Sequence, residues 1–100
     1  MNSMPVDILP IAQEDVNQAL IYIATDDPDA ADRLLDRILE AMDQASRFPF
    51  SAAEVTVGQR CPRRYYRLVV SPYSIYYRVI RDRIVVMRVL HERMDAGRRL

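Results

Sequence analysis

The sequence predicts an α+β domain in which an N-terminal strand is followed by an antiparallel two-helix hairpin and a three-stranded antiparallel meander, with the helices on one face of the sheet. Two observations predict it. Apolar residues of the first half recur at spacings of three and four, whereas those after Pro62 alternate with period two. The 100 residues make a single domain over 1–100, because chains divide at roughly 100–200 residues per domain. Half of the residues are apolar, enough for one modest core without disulfide or metal staples.

Each element has its own signal. Val6 and Ile8 alternate with Asp7 and Leu9, a short edge strand in which Pro10 is tolerated near the end. Val16, Ala19, Leu20 and Ile23 then repeat at helical spacing, giving a helix over Ala12–Thr25 with Glu14 and Asp15 in its first turn, where the dipole favours acids. At Thr25-Asp26-Asp27-Pro28-Asp29 one helix stops and another starts, since Asp27 can cap and Pro28 suits the first helical position. Ala31, Leu34, Leu35, Ile38, Met42 and Ala45 carry the second helix over Pro28–Arg47. So short a connection makes the helices antiparallel neighbours.

Between Phe50 and Pro62 the periodicity disappears, and Gly58 and Pro62 mark a loop holding at most a short strand around Glu54–Val57. Tyr66, Leu68 and Val70 next alternate with Tyr65, Arg67 and Val69. After Ser71-Pro72, Tyr73, Ile75, Tyr77 and Val79 alternate with Ser74, Tyr76, Arg78 and Ile80. Arg81-Asp82-Arg83 turns the chain into a last strand, Ile84–Leu90, rich in β-branched residues. Met94–Leu100 reads as a short terminal helix or a frayed tail. With helices on one face only, the other face, carrying Tyr76, Arg78 and Arg88 by alternation, is expected to be uncovered and to bind whatever the protein binds.

Composition narrows the chemistry. One cysteine, Cys61, and one histidine, His91, exclude an intramolecular disulfide and a Cys/His zinc site built by this chain, and fit a reducing compartment. No run approaches the roughly 18 apolar residues that span a bilayer. Met1–Pro10 lacks the basic and apolar regions of a signal peptide, so a cytoplasmic protein without membrane association is expected. The net charge of +0 hides an asymmetry: residues 1–50 carry a balance of −7 and residues 51–100 one of +7. All 14 basic residues are arginine. Its planar fork suits carboxylate and phosphate, and the absence of lysine removes Schiff-base and lysine general-base mechanisms.

In their order and spacing, four segments resemble the ParE/RelE superfamily of toxins from type II toxin–antitoxin pairs. They are Asp15-Val16 through Tyr22-Ile23-Ala24, Asp27-Pro28-Asp29-Ala30-Ala31, Tyr73-Ser74-Ile75-Tyr76-Tyr77-Arg78-Val79 and Val89-Leu90-His91. The resemblance covers nearly the whole chain and implies the fold read above from periodicity. It also implies one of two activities. RelE-like members are ribosome-dependent mRNA endoribonucleases, which need cations at the scissile phosphate and an acid–base pair, and they are typically strongly basic. This chain has no net charge and no lysine, and its tail His91–Leu100 lacks an aromatic acid–base residue.

That tail, with Met94 and a close on Leu100, and the long hairpin resemble the ParE branch instead. The resemblance implies a toxin that is not an enzyme: it inhibits DNA gyrase by trapping it on cleaved DNA. A ParD-like antitoxin would neutralise it in a heterotetramer or larger hetero-oligomer. No cofactor, metal or sequence-specific nucleic-acid contact is implied. The RelE-like alternative would use Arg78, His91 and Arg93 as catalytic groups. Under the ParE-like reading the partner-binding residues are Arg67, Tyr76, Arg78, Arg88, His91, Arg93 and Met94. An antitoxin segment should be acidic where it crosses the Arg-rich sheet. Arg60, Arg63 and Arg64 are read as a solvated basic cluster, Cys61 beside them as a thiol without a base partner, and Tyr73, Tyr76 and Tyr77 as packing rather than stacking groups.

Overall fold

The computed structural model describes residues 3–58 and 60–100. The elements run β1 (Val6–Ile8), α1 (Pro10–Asp26), α2 (Pro28–Arg47), β2 (Ala53–Val57), β3 (Arg63–Val70), β4 (Tyr73–Ile80), β5 (Arg83–His91) and α3 (Ala96–Arg99). The five strands form one sheet in the order β1-β5-β4-β3-β2, with β1 parallel to β5 and the other pairs antiparallel. The α+β order read from the sequence is present, and β2 extends its three-stranded meander to four. That strand was faint in the sequence because only Val55 and Val57 turn partly inward, too few alternations to register as a period.

Helix α1 begins two residues earlier than expected. Leu9 is extended, and Pro10 occupies the first helical position, where its missing N–H costs nothing. This start moves Glu14 and Asp15 beyond the first turn, so the expected dipole role is corrected. Asp27 alone links the two helices. Its backbone N–H donates to the Ile23 carbonyl at 2.9 Å and ends α1, while its carboxylate accepts from the Ala30 N–H at 3.1 Å and starts α2.

The main core lies between the hairpin and the sheet. Val16, Ala19, Leu34, Ile38 and Met42 pack against Tyr73, Ile75, Tyr77, Ile84, Val86 and Val89. Tyr77 is completely buried. Its ring stacks on Tyr66 with centroids 5.3 Å apart, and its hydroxyl donates to the Pro49 carbonyl at 2.8 Å, tying the chain after α2 onto the sheet. Tyr73, Tyr76 and Tyr77 are all buried, as packing groups should be.

The far face is not bare. Tyr65, Tyr76 and Leu90 form a second cluster to which Val55, Val57, Met87, Ala96 and Leu100 contribute. The expectation of an uncovered face is thus corrected: the tail folds back as α3 and lays Ala96 and Leu100 over it. Alternation assigns side chains to faces, but it cannot show that a few residues at a chain end return to cover one.

A β-bulge prepares that return. Tyr76 stands opposite Arg88 and Tyr77 opposite Val86, so Met87 is the extra residue. Because β1 pairs only with Ile84–Val86, the outer edge of β5 beyond them has no neighbouring strand. Asp15 of α1 serves that edge instead. One of its oxygens accepts the Val89 N–H at 3.0 Å and the Arg88 Nε–H at 2.8 Å, and the other accepts from Arg88 Nη2 at 2.9 Å. The third guanidinium nitrogen, Nη1, donates to the Arg99 carbonyl at 3.1 Å. Both side chains of the pair are only 13–14% exposed. The hydrogen bonds to Asp15 raise the pKa of Arg88 further above its ordinary value.

Asp15→Ala strands a mostly buried guanidinium and a strand N–H, so it should cost about 2–3 kcal/mol in urea unfolding. A double-mutant cycle with Arg88→Ala should return a coupling of about 1 kcal/mol or more; independent effects would show that the pair does not join helix to strand. Burial pushes the Tyr77 phenol from 10.0 up to about 12. Below pH 10 the folded and unfolded chains both keep that proton; above it the unfolded chain ionises first, so stability should fall as pH rises toward 12, by roughly 2–3 kcal/mol. Tyr77→Phe should flatten this alkaline loss and, through the missing bond to Pro49, cost about 1 kcal/mol at neutral pH.

Candidate functional site

The end of β5 and the face of α1 beside it enclose a hollow of about 410 Å³. Its walls are Asp15, Gln18, Ala19 and Tyr22 from α1, Tyr73 from β4, Arg88, Val89 and His91 from β5, and Met94 and Arg99 from the tail. Helix α1, strand β5 and the tail meet here because the Asp15–Arg88 contact holds them together.

His91 closes β5 opposite Tyr73, its ring edge-on to the tyrosine with centroids 5.2 Å apart. The Arg93 N–H donates to His91 Nδ1 at 3.1 Å, and the Met94 N–H donates to the His91 carbonyl at 2.9 Å, so the chain turns sharply as the strand ends. With Nδ1 accepting, the neutral ring carries its proton on Nε2, and the free side of the imidazole is a donor. Burial raises the Tyr73 phenol above its ordinary value, with a smaller contribution from Tyr22, so Tyr73 keeps its proton and is a donor at physiological pH. Tyr22 is 78% exposed and Met94 44% exposed, which gives the hollow a soft apolar rim around polar donors. Such a surface suits the capture of another macromolecule's side chains.

The seven residues singled out from the sequence separate into groups. Arg88, His91 and Met94 share the hollow, and Arg93 stands exposed in the turn between the last two. The Arg88 donors are engaged by Asp15 and the Arg99 carbonyl, so its place there is to hold the walls. Tyr76 is buried in the second cluster. Arg67, exposed on β3, does not line the hollow. Neither does Arg78, which borders a separate hollow of about 390 Å³ with Phe50, Arg64, Tyr66 and Val79. Arg78 and His91 lie far apart: β4 pairs with His91 at Tyr73, five residues from Arg78, or roughly 17 Å along an extended strand.

Sequence reasoning missed Gln18, Tyr22 and Tyr73 as walls of the site. Tyr22 did leave a signal, since together with Ile21 it falls outside the Val16-Ala19-Leu20-Ile23 stripe, and both are exposed apolar residues. Gln18 left none, because a polar residue on a polar helix face is unremarked. Among the described residues no three His, Cys, Asp or Glu side chains are grouped so as to hold a metal ion, and no helix is long and apolar enough to cross a membrane.

Comparison with known proteins agrees with this architecture. Residues 6–96 match the family model described as ParE toxin of type II toxin–antitoxin system, parDE. A protein of Sinorhizobium fredii (strain NBRC 101917 / NGR234), named Putative toxin Y4kP, is 39% identical over 70 residues, which is 70% of this chain and 69% of that protein. A chain in a solved structure of the chromosomal ParDE TA system from P. aeruginosa superposes with a TM-score of 0.70 at 17% identity, over 89% of this chain and 96% of that one, and so shares the fold. A family match that runs from β1 into α3, on the fold that the periodicity predicts, makes this chain a member of the ParE toxin family of type II toxin–antitoxin systems.

Proposed function

We propose that this toxin acts in the cytoplasm by binding DNA gyrase and holding it on cleaved DNA, and that a ParD-like antitoxin neutralises it within a hetero-oligomer. The observation that carries the reading is the family match over residues 6–96. The hollow supports it: a soft rim of Tyr22 and Met94, hydrogen-bond donors on Tyr73 and His91, and the exposed Arg93, which has no ion pair among the described residues, make a surface for capture rather than for bond breaking. In this reading His91, Arg93 and Met94 touch the target, Arg88 positions them, and Arg67 and Arg78 on the sheet meet an acidic antitoxin segment.

The ribonuclease alternative would need Arg78, His91 and Arg93 around one scissile phosphate. Arg78 and His91 border different hollows, and the His91 lone pair is taken up by the Arg93 N–H. The geometry disfavours that reading.

The test titrates the protein into purified gyrase and follows supercoiling and DNA cleavage. Removing residues 94–100 would also strip Ala96 and Leu100 from the second cluster and the Arg99 carbonyl from Arg88, so point variants are cleaner. Arg93→Ala with Met94→Ala, both exposed, should keep the unfolding transition and weaken inhibition at least about tenfold, a loss of about 1.4 kcal/mol. No inhibition by a large excess of the folded wild-type chain would end the gyrase reading. Antitoxin binding should weaken as salt rises if the sheet arginines meet carboxylates.

A further inference from the structure

A third hollow lies on the side of the sheet that the tail covers. It measures about 520 Å³, and its walls include Arg60, Arg63 and Arg98, with Tyr65, Leu100 and the backbone of Gly58 between them. Three arginines from two distant stretches of chain thus line one concavity. Like charges gathered in this way repel one another unless an anion sits among them.

Among the described residues neither Arg60 nor Arg63 forms an ion pair, whereas Arg33, Arg47, Arg64, Arg83 and Arg88 all do. Arg98 reaches only Asp95, at 3.6 Å with both side chains more than half exposed, a contact worth little in water. One Asp95 oxygen is in any case held by the Gly97 N–H at 2.9 Å. The loop that brings the arginines together is tightly built. Gly58 has φ +117°, and a Cβ there would stand 2.9 Å from the Cys61 carbonyl oxygen, so only glycine lets the chain after β2 fold this closely.

We infer that this hollow binds a ligand carrying two neighbouring phosphate groups, either adjacent phosphates of a nucleic-acid backbone or a free diphosphate. A single carboxylate satisfies one guanidinium fork, whereas neighbouring phosphates offer several acceptor oxygens and more than one charge within a short span, which suits a hollow lined by three arginines. The volume holds more than a single phosphate. The inference uses only these residues and stands independently of the gyrase reading.

The experiment is an amide chemical-shift titration of the whole chain with inorganic pyrophosphate, with a short DNA duplex of random sequence and with oligoglutamate. Pyrophosphate or duplex should shift the amides of Gly58, Arg60, Cys61, Arg63, Gly97 and Arg98. The paired substitution Arg60→Gln and Arg63→Gln, at exposed positions, should abolish those shifts while leaving the rest of the spectrum intact. Binding by duplex with a salt slope that drops by roughly two in the double variant would identify the backbone as the source. Binding by pyrophosphate with no gain from the duplex would identify a free diphosphate. Shifts with oligoglutamate only, shifts that survive the double substitution, or no shifts with any probe would overturn the inference.

Discussion

The unpaired outer edge of β5 is the constraint on which the rest of this molecule depends. A strand end with no neighbour leaves N–H groups that must find an acceptor, and β1 is too short to supply one past Val86. Asp15 answers for Val89 from the adjoining helix, and the same carboxylate holds Arg88 by both oxygens. One carboxylate therefore replaces a strand, fixes α1 against β5 and directs a guanidinium toward the tail. Since all of this happens where little water reaches, the bonds are stronger than those of a surface pair, and losing either partner would leave the other without compensation.

From that contact the two sides of the sheet acquire different duties. The helix side is a conventional apolar core whose largest buried group, Tyr77, still satisfies its hydroxyl at Pro49. The other side is a thin layer. Tyr65, Tyr76 and Leu90 are closed over by Ala96 and Leu100 from a helix of four residues, too short to persist without its contacts. The tail is thus both a cover for the sheet and a wall of two hollows, one around His91 and one around Arg60, Arg63 and Arg98. Its position follows from the bulge at Met87, which lets Val86 and Val89 both join the helix-side core while Met87 and Leu90 serve the tail.

In this ParE-family chain the layout separates the arginines that hold the fold from those left exposed. The arginines inside ion pairs, Arg88 above all, act as structure. Arg60, Arg63 and Arg93 remain exposed, with no ion pair among the described residues. Arginine in place of lysine serves both uses, because the same planar fork that grips Asp15 at two oxygens can grip a partner's carboxylate or phosphate.

The sequence by itself determined the element order, the helix hairpin with its Asp27 junction and most of the core, because periods of 3.6 and 2 record which face of an element is buried and Asp-Pro pairs record where helices begin. It also carried the family resemblance that the comparisons bear out. It gave β2 only as at most a short strand, since an edge position needs few apolar residues, and it did not determine the use of Asp15, which as one more acid on a polar helix face looks like its neighbours. Only the tertiary structure decided that Arg88 is held internally, that Tyr76 is covered, that His91 and Arg78 border different hollows and that Arg98 joins Arg60 and Arg63. The physical reason is common to all four. Each depends on which segments meet in space, and local periodicity holds no record of such contacts, which for Asp15 and Arg88 join residues 73 positions apart.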